Sequence, residues 1–511
     1  MAPRDTFKSV GRRRVLRTLG GASAGVSLAG SDVADRVKDG EAVSNLLRAF
    51  GVVSADERGT DGGAPNRQGE RKANGSRGLG IQQQSGWNRF FDHGLDDLIP
   101  DTEANGGGCL VVYDDTSVKK LGSAGEKEWE ESYETNLNDL LPVSEANGGG
   151  YLIAFDHELV RLGRDGSSQW KRSYGDEGMD RRISSVIEAG SNGFLFAGST
   201  RIDDDWDVSW VAKVSGDGEV TWELAKTLLG SRQAYGQSAN RVYRANSGYL
   251  IEVRRYHSLW LVKIDESGSI EWNLEFTEYA DIYVTDEDSI LVAALYDPRL
   301  IRVTSEGTIQ WTKESESTNL PEQVLAGEDG FLVAGWSSYR ENYVLNMLRD
   351  DGTRRWWREY EQAYTVAHAE PDGYVLFGTE SVLKVNADGT KEWERPVYVP
   401  TDIEHLYDLD DGGYLLGGGG WIALRESLAD GVAVLPDVNG DGNPSQDPDG
   451  DGLYEDVNGD GSVNVGDAQA LYENRESAAI RINGELYDFN DDGTVNVGDA
   501  QALFAEVTED D

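Results

Sequence analysis

Between residues 456 and 499 the sequence sets oxygen-bearing side chains at a fixed spacing, twice. Asp456, Asn458, Asp460, Asn464 and Asp467 stand at positions 1, 3, 5, 9 and 12 of a twelve-residue stretch, with Gly461 at 6 and Ser462 at 7. Thirty-two residues on, Asp488, Asn490, Asp492, Asn496 and Asp499 repeat the pattern, with Gly493 and Thr494 at 6 and 7. The chemistry this suits is binding of a hard cation. Calcium takes six to eight oxygens, and this spacing turns alternate side chains toward one centre while position 7 lends its carbonyl. The glycine at 6 permits the sharp turn. Asn464 and Asn496 are expected to act through water, the usual habit of position 9. Two calcium ions are predicted. A third is possible upstream, where Asp447, Asp449 and Asp451 alternate and Leu453 could add a carbonyl. The twelfth position there would be Asn458, which the next loop already uses.

The elements that must hold these loops follow them directly. Each runs into Ala-Gln-Ala-Leu and an aromatic, Tyr472 or Phe504, the start of a short helix. The spacing is that of an EF-hand loop, except that position 12 is Asp rather than Glu. Two loops with a terminal Asp, each followed by a short helix, resemble the type I dockerin domain over about 456–507. That resemblance implies a calcium-folded module that docks to a cohesin-like partner, often on carbohydrate-degrading assemblies. In that family positions 10 and 11 help to form the partner face. Here they are Val465-Gly466 and Val497-Gly498, small and apolar where bacterial members commonly carry hydroxyls. The preceding stretch, 436–455, is an acidic linker that looks like thrombospondin type 3 calcium repeats. Residues 437–511 hold 20 acidic and two basic side chains. Without cations such a domain repels itself, so calcium binding and folding should be linked.

The whole chain shares this acidity. Its 511 residues carry a formal charge of −45, and its 47 basic residues are 13 Lys and 34 Arg. A Lys-poor acidic surface suits very high salt, where the Debye length falls to about 3 Å and self-repulsion is screened. A haloarchaeal type of protein is the reading. Phosphates would be repelled, so nucleic acid is excluded as a partner. The single Cys109 excludes an internal disulfide framework.

At the N-terminus, Arg12-Arg13-Arg14 precedes a weakly apolar, Gly/Ala-rich run from Leu19 to Gly30. It is too short to span a bilayer and reads as an export signal over 1–32. The paired arginines resemble a twin-arginine signal. Residues 33–80 read as a short helix followed by a flexible linker. No other apolar run is long enough for a transmembrane helix.

From 81 to 435 one pattern recurs. An aromatic-aliphatic strand such as Gly150-Tyr-Leu-Ile-Ala is followed by a second apolar strand, then an Asp-Gly-type turn, then a tryptophan four residues after the glycine. These tryptophans are Trp129, Trp170, Trp222, Trp272, Trp311, Trp356 and Trp393. A period near 45 residues built of short strands and glycine turns predicts a mainly β fold, a β-propeller with one four-stranded sheet per blade. Eight blades are expected, with seven the alternative. Trp87 has no first strand before it, so its segment is predicted to complete the last blade beside 412–435. The Gly-x-x-x-Trp units resemble the docking repeat of the quinoprotein-like, or PQQ-like, propellers. Each indole would wedge between blades and donate to a backbone carbonyl.

No catalytic or cofactor-binding constellation is legible. His93, His157, His257, His368 and His405 are scattered, and the carboxylate run Asp203–Asp205, Asp207 reads as a solvated loop. A propeller alone implies no activity. The function expected is a secreted or cell-surface calcium-binding interaction protein, its propeller a platform for a protein, polysaccharide or surface glycan. The alternative is a glycoside hydrolase or polysaccharide lyase carried by its dockerin-like module into polysaccharide catabolism.

Overall fold

The computed structural model describes residues 86–509, apart from short stretches of which 226–236 is the longest. The export signal, the 33–80 segment, His257 and Asp203–Asp205 lie outside the described residues. Contacts divide the chain into two compact units, one of residues 84–89 and 93–433, the other including 434–511.

The first unit is an eight-bladed propeller. Seven blades are consecutive antiparallel meanders, beginning at Leu95, Asp139, Arg181, Gln237, Ala280, Leu320 and Thr365. The eighth takes Ile403–Asp408, Tyr414–Gly418 and Trp421–Arg425 from late in the chain, and its outer strand, Gly86–Phe90, from the beginning. The segment around Trp87 therefore closes the ring as its spacing predicts. Val432–Ala433 does not join that blade; it pairs in parallel with Val397–Tyr398 of the seventh. The place where a further tryptophan strand is due, before Leu435, is already filled by residues 86–90.

Apolar strand faces meet between successive blades, so the core is divided into interfaces. Leu152, Phe194, Phe196 and Trp210 form one such cluster between the second and third blades. Leu332, Tyr343, Leu376 and Leu383 form another between the sixth and seventh.

The tryptophans lock these interfaces. Trp87, Trp129, Trp170, Trp222, Trp272, Trp311 and Trp356 each donate an indole N–H, over 2.7–3.0 Å, to a backbone carbonyl in the turn of the next blade. The turn glycine is demanded twice. Gly307, at φ +76°, occupies the left-handed region, and a Cβ there would stand 2.5 Å from Trp272 Cδ2. Every repeat glycine thus serves its own turn and the preceding blade's indole.

A second feature of the repeat is a cation directly across from the tryptophan. Lys120, Arg161, Lys213, Lys263, Arg302 and Lys384 pair in register with Trp129, Trp170, Trp222, Trp272, Trp311 and Trp393. Lys120 is fully buried and donates to the carbonyls of Gly107 and, at 2.9 Å, Leu121. Arg161 reaches four carbonyls of the Asn147–Leu162 hairpin. Lys120, Arg161, Lys263 and Arg302 thus tie turns together through charge-assisted bonds to carbonyls, whereas Lys213 and Lys384 pair with Glu266 and Glu392.

The second unit is built on three helices: α1 (Val465–Asn474), α2 (Ala478–Ile482) and α3 (Val497–Glu509). Val457, Leu471, Ile480, Tyr487, Phe489 and Leu503 make its core. Val438 joins that core, so the stretch before the loops is packed with them.

Candidate metal centre

Each calcium-type loop begins with a carboxylate that folds the chain around itself. Asp456 Oδ2 accepts from Gly461 N–H at 2.9 Å, and Asp488 Oδ2 accepts from Gly493 N–H at 2.9 Å. Asn458 and Asn490 each accept from the N–H two residues on, at 2.9 Å, as do Asp460 and Asp492. These turns bring positions 1, 3 and 5 to the inside of a curl.

The carboxylate at position 12 closes each loop from the helix. Asp467 is fully buried and accepts from Asn458 N–H at 3.1 Å and Asn464 N–H at 2.8 Å. Asp499, also fully buried, accepts from Asn490 at 3.2 Å and Asn496 at 2.7 Å. Asn464 caps α1: its Oδ1 accepts from Gly466 N–H at 2.7 Å, while Asp467 returns a bond to the Asn464 N–H, forming a capping box. Position 9 therefore uses its own amide oxygen for the cap, which suits contact with an ion through water rather than directly. Glycine at position 11 follows from this crowding, since a Cβ on Gly498 would come within 2.6 Å of Asn490 Nδ2.

The electrostatics fit a cation. Burial, with Asp456 and Asp460 nearby, pushes Asp467 up to about 6; burial, with Asp488 and Asp492, raises Asp499. Asp456 is almost fully buried, and its Oδ1 meets no hydrogen-bond donor among the described residues. A buried carboxylate oxygen without a donor is costly, and a cation at the centre of the loop would supply what it lacks.

The upstream stretch is joined to these loops. The Gln446 and Asp456 backbones bond to each other. Ser445 Oγ, fully buried with its residue, donates to the Val457 carbonyl at 2.6 Å and accepts from the buried Tyr487 hydroxyl at 2.8 Å. Within it Asp447, Asp449, Asp451 and Glu455 gather; Glu455, which spacing alone does not single out, lies among them.

In the propeller no comparable group forms among the described residues: no histidine joins an acidic cluster there. The buried Lys120, Asp101, Tyr151 and Asn105 bond to one another. Asp101 takes the Tyr151 hydroxyl at 2.6 Å, the Asn105 amide at 3.0 Å and Lys120 at 3.3 Å. Cys109 is a buried strand residue, its thiol pushed up to about 12 by burial, and is inert. Asp207 lies in the strand Trp206–Ser215, its backbone in register with Arg201 across a hairpin, rather than in a loop. No described helix is long and apolar enough to cross a membrane.

Comparison with known proteins agrees with this division. Residues 454–507 match the dockerin type I domain. A dockerin module, a class that binds calcium and docks to cohesin-like protein partners, thus occupies the C-terminal end of the described chain. No curated protein matches the chain. Among solved structures it is similar to BamB from Moraxella catarrhalis, at 13% identity, covering 68% of this chain and 98% of that one with a TM-score of 0.46. It is also similar to the dihydro-heme d1 dehydrogenase NirN, at 11% identity, 66% and 75% coverage and TM-score 0.46. Virginiamycin B lyase from Staphylococcus aureus gives 15% identity, 60% and 97% coverage and TM-score 0.38. Identities this low say nothing about activity.

Proposed function

We propose that this chain is an exported, calcium-dependent interaction protein. Its propeller is a rigid platform that presents loops to a protein or glycan ligand, and its dockerin module docks that platform to an extracellular partner of the cohesin type. The observation that carries the reading is the buried, doubly bonded Asp at position 12 of both loops, together with the donorless Asp456 Oδ1. Asp456, Asn458, Asp460, Asp467 and the Ser462 carbonyl would hold one ion; Asp488, Asn490, Asp492, Asp499 and the Thr494 carbonyl would hold the second. When bound, calcium supplies neutralising charge; the chain's own part is to curl each loop and seat its helix. The paired arginines of 12–14, the 33–80 linker and the charge of −45 support export by the twin-arginine route and a life in high salt.

The test is retention by the immobilised full chain, in multimolar KCl, of envelope and secreted proteins from a haloarchaeal culture. A protein of cohesin fold, held with calcium, released by chelator and not held by the D467A/D499A double variant, is the expected outcome. Retention that ignores chelation and both substitutions refutes docking through the loops.

A further inference from the structure

We propose that residues 447–455 form a third calcium site, outside the two repeated loops, in which Glu455 closes the shell from the ninth position in place of a twelfth-position carboxylate. The ion's identity rests on the calcium reading of the two neighbouring loops; the site itself rests on its own residues.

Its scaffold is that of the loops downstream. Gly452 N–H donates to Asp447 Oδ2 at 3.0 Å, as Gly461 does to Asp456 and Gly493 to Asp488. Asp451 N–H donates to Asp449 at 3.1 Å and Leu453 N–H to Asp451 at 2.8 Å, repeating the turns of positions 3 and 5. The first seven positions are therefore built alike three times in this unit. The third copy then departs, because Asn458, its twelfth residue, belongs to the next loop.

Glu455 replaces that missing closure. It is 5% exposed, and its Oε2 meets no hydrogen-bond donor among the described residues. One carboxylate oxygen from each of Asp447, Asp449, Asp451 and Glu455 lies within 4.8 Å of the others. Oxygens facing each other across calcium stand about 4.6–5.2 Å apart, twice the 2.3–2.6 Å bond. Four oxygens gathered within 4.8 Å of one another are close enough to share one such ion. Among the described residues no protein cation pairs with these four carboxylates, one of which holds a buried oxygen that meets no donor: the basic residues of 437–511 are Arg475 and Arg481, and neither bonds to this group. An ion is the group that satisfies the arrangement.

The site has a structural consequence. Glu455 and Asp456 are adjacent, so one peptide carries the closing ligand of the third site and the opening ligand of the first loop. Filling the third site would fix that peptide and raise the first loop's affinity.

Calcium counting on the full chain tests this, by equilibrium dialysis with radioactive calcium in multimolar KCl, where diffuse binding to acidic surface is screened. The wild type should hold three ions. D449N/D451N, both at exposed positions where misfolding is least expected, should hold two, and E455Q should weaken one ion at least tenfold. D488N/D492N should also hold two, by loss of a different ion, and combining it with D449N/D451N should leave one. A wild type that holds two ions, unchanged by D449N/D451N yet reduced by D488N/D492N, overturns the third site and leaves the loops standing. Three ions retained by D449N/D451N also overturn it, and no ions in the wild type overturn both readings.

Discussion

Asp467→Asn should reverse the order of stability between two solutions that differ only in calcium. The folded Asp467 carboxyl sits at about 6, against 3.8 for the free group, because burial disfavours its charge. A raised acid stabilises the fold fully below its unfolded pKa and loses that contribution as pH rises through its folded one. At pH 7 without calcium the ionised side chain therefore costs the fold roughly 3 kcal/mol, at 1.36 kcal/mol per pK unit. Asparagine removes the charge but keeps one acceptor, so one of the N–H groups of Asn458 and Asn464 loses its partner, a cost of about 1–3 kcal/mol. In chelator the variant should thus match or exceed the wild type. With free calcium at a hundredfold excess over its dissociation constant, the wild type gains about 2.7 kcal/mol from that ion and the variant loses most of it. Hydrogen exchange of peptides from α1 in the full chain reads the local opening free energy directly. Destabilisation of D467N by the same amount in both solutions would refute the argument, leaving Asp467 a helix cap and nothing more.

Three further outcomes are expected. In chelator, α1 should lose protection as pH rises from about 4.5 to about 8, since burial and the neighbouring Asp449, Asp451 and Asp447 push Glu455 up to about 8 and Asp467 also titrates in that span; saturating calcium should invert the trend. Trp87→Ala should lower the urea midpoint of the propeller by the equivalent of roughly 2–4 kcal/mol, and more than Trp222→Ala, because only the first also loosens the strand that closes the ring. Gly307→Ala, whose Cβ would meet the Trp272 indole and whose φ is left-handed, should cost at least ~1 kcal/mol by thermal unfolding, with the shift confined to the propeller transition.

Much of this was legible in residue spacing, and the reasons are physical. A tryptophan four residues after a glycine marks a blade because the indole must reach the next turn's carbonyl, and that geometry tolerates little variation. Trp87 betrayed the closing strand because an indole with no meander before it has one useful place to go. The dockerin loops were readable because the spacing of a cation-binding loop fixes its oxygen-bearing positions along twelve residues. Glu455 was not, since it acts from a position that usually works through water, and only folding shows its oxygen buried beside three aspartates. The cations opposite the tryptophans were equally hidden. Lys120 or Arg302 in a strand looks like a surface charge until the register sets it beneath a turn. Lys120 and Arg302 bond to carbonyls that the sequence does not display.

The eighth blade also sets a timetable for synthesis. Arg425 donates to the Trp87 carbonyl at 3.1 Å across 338 residues, in a sheet whose outer strand is the first part of the propeller to be made. At about 5–20 residues per second that strand waits roughly 17–70 seconds for its partner. Meanwhile seven meanders can each form from local contacts, and the loose first strand keeps an unpaired edge. The ring can become a single cooperative body only after residue 425 has emerged. Under the proposed export, a chain built this way would gain little from being threaded through a membrane while still unfolded, and much from closing its ring first.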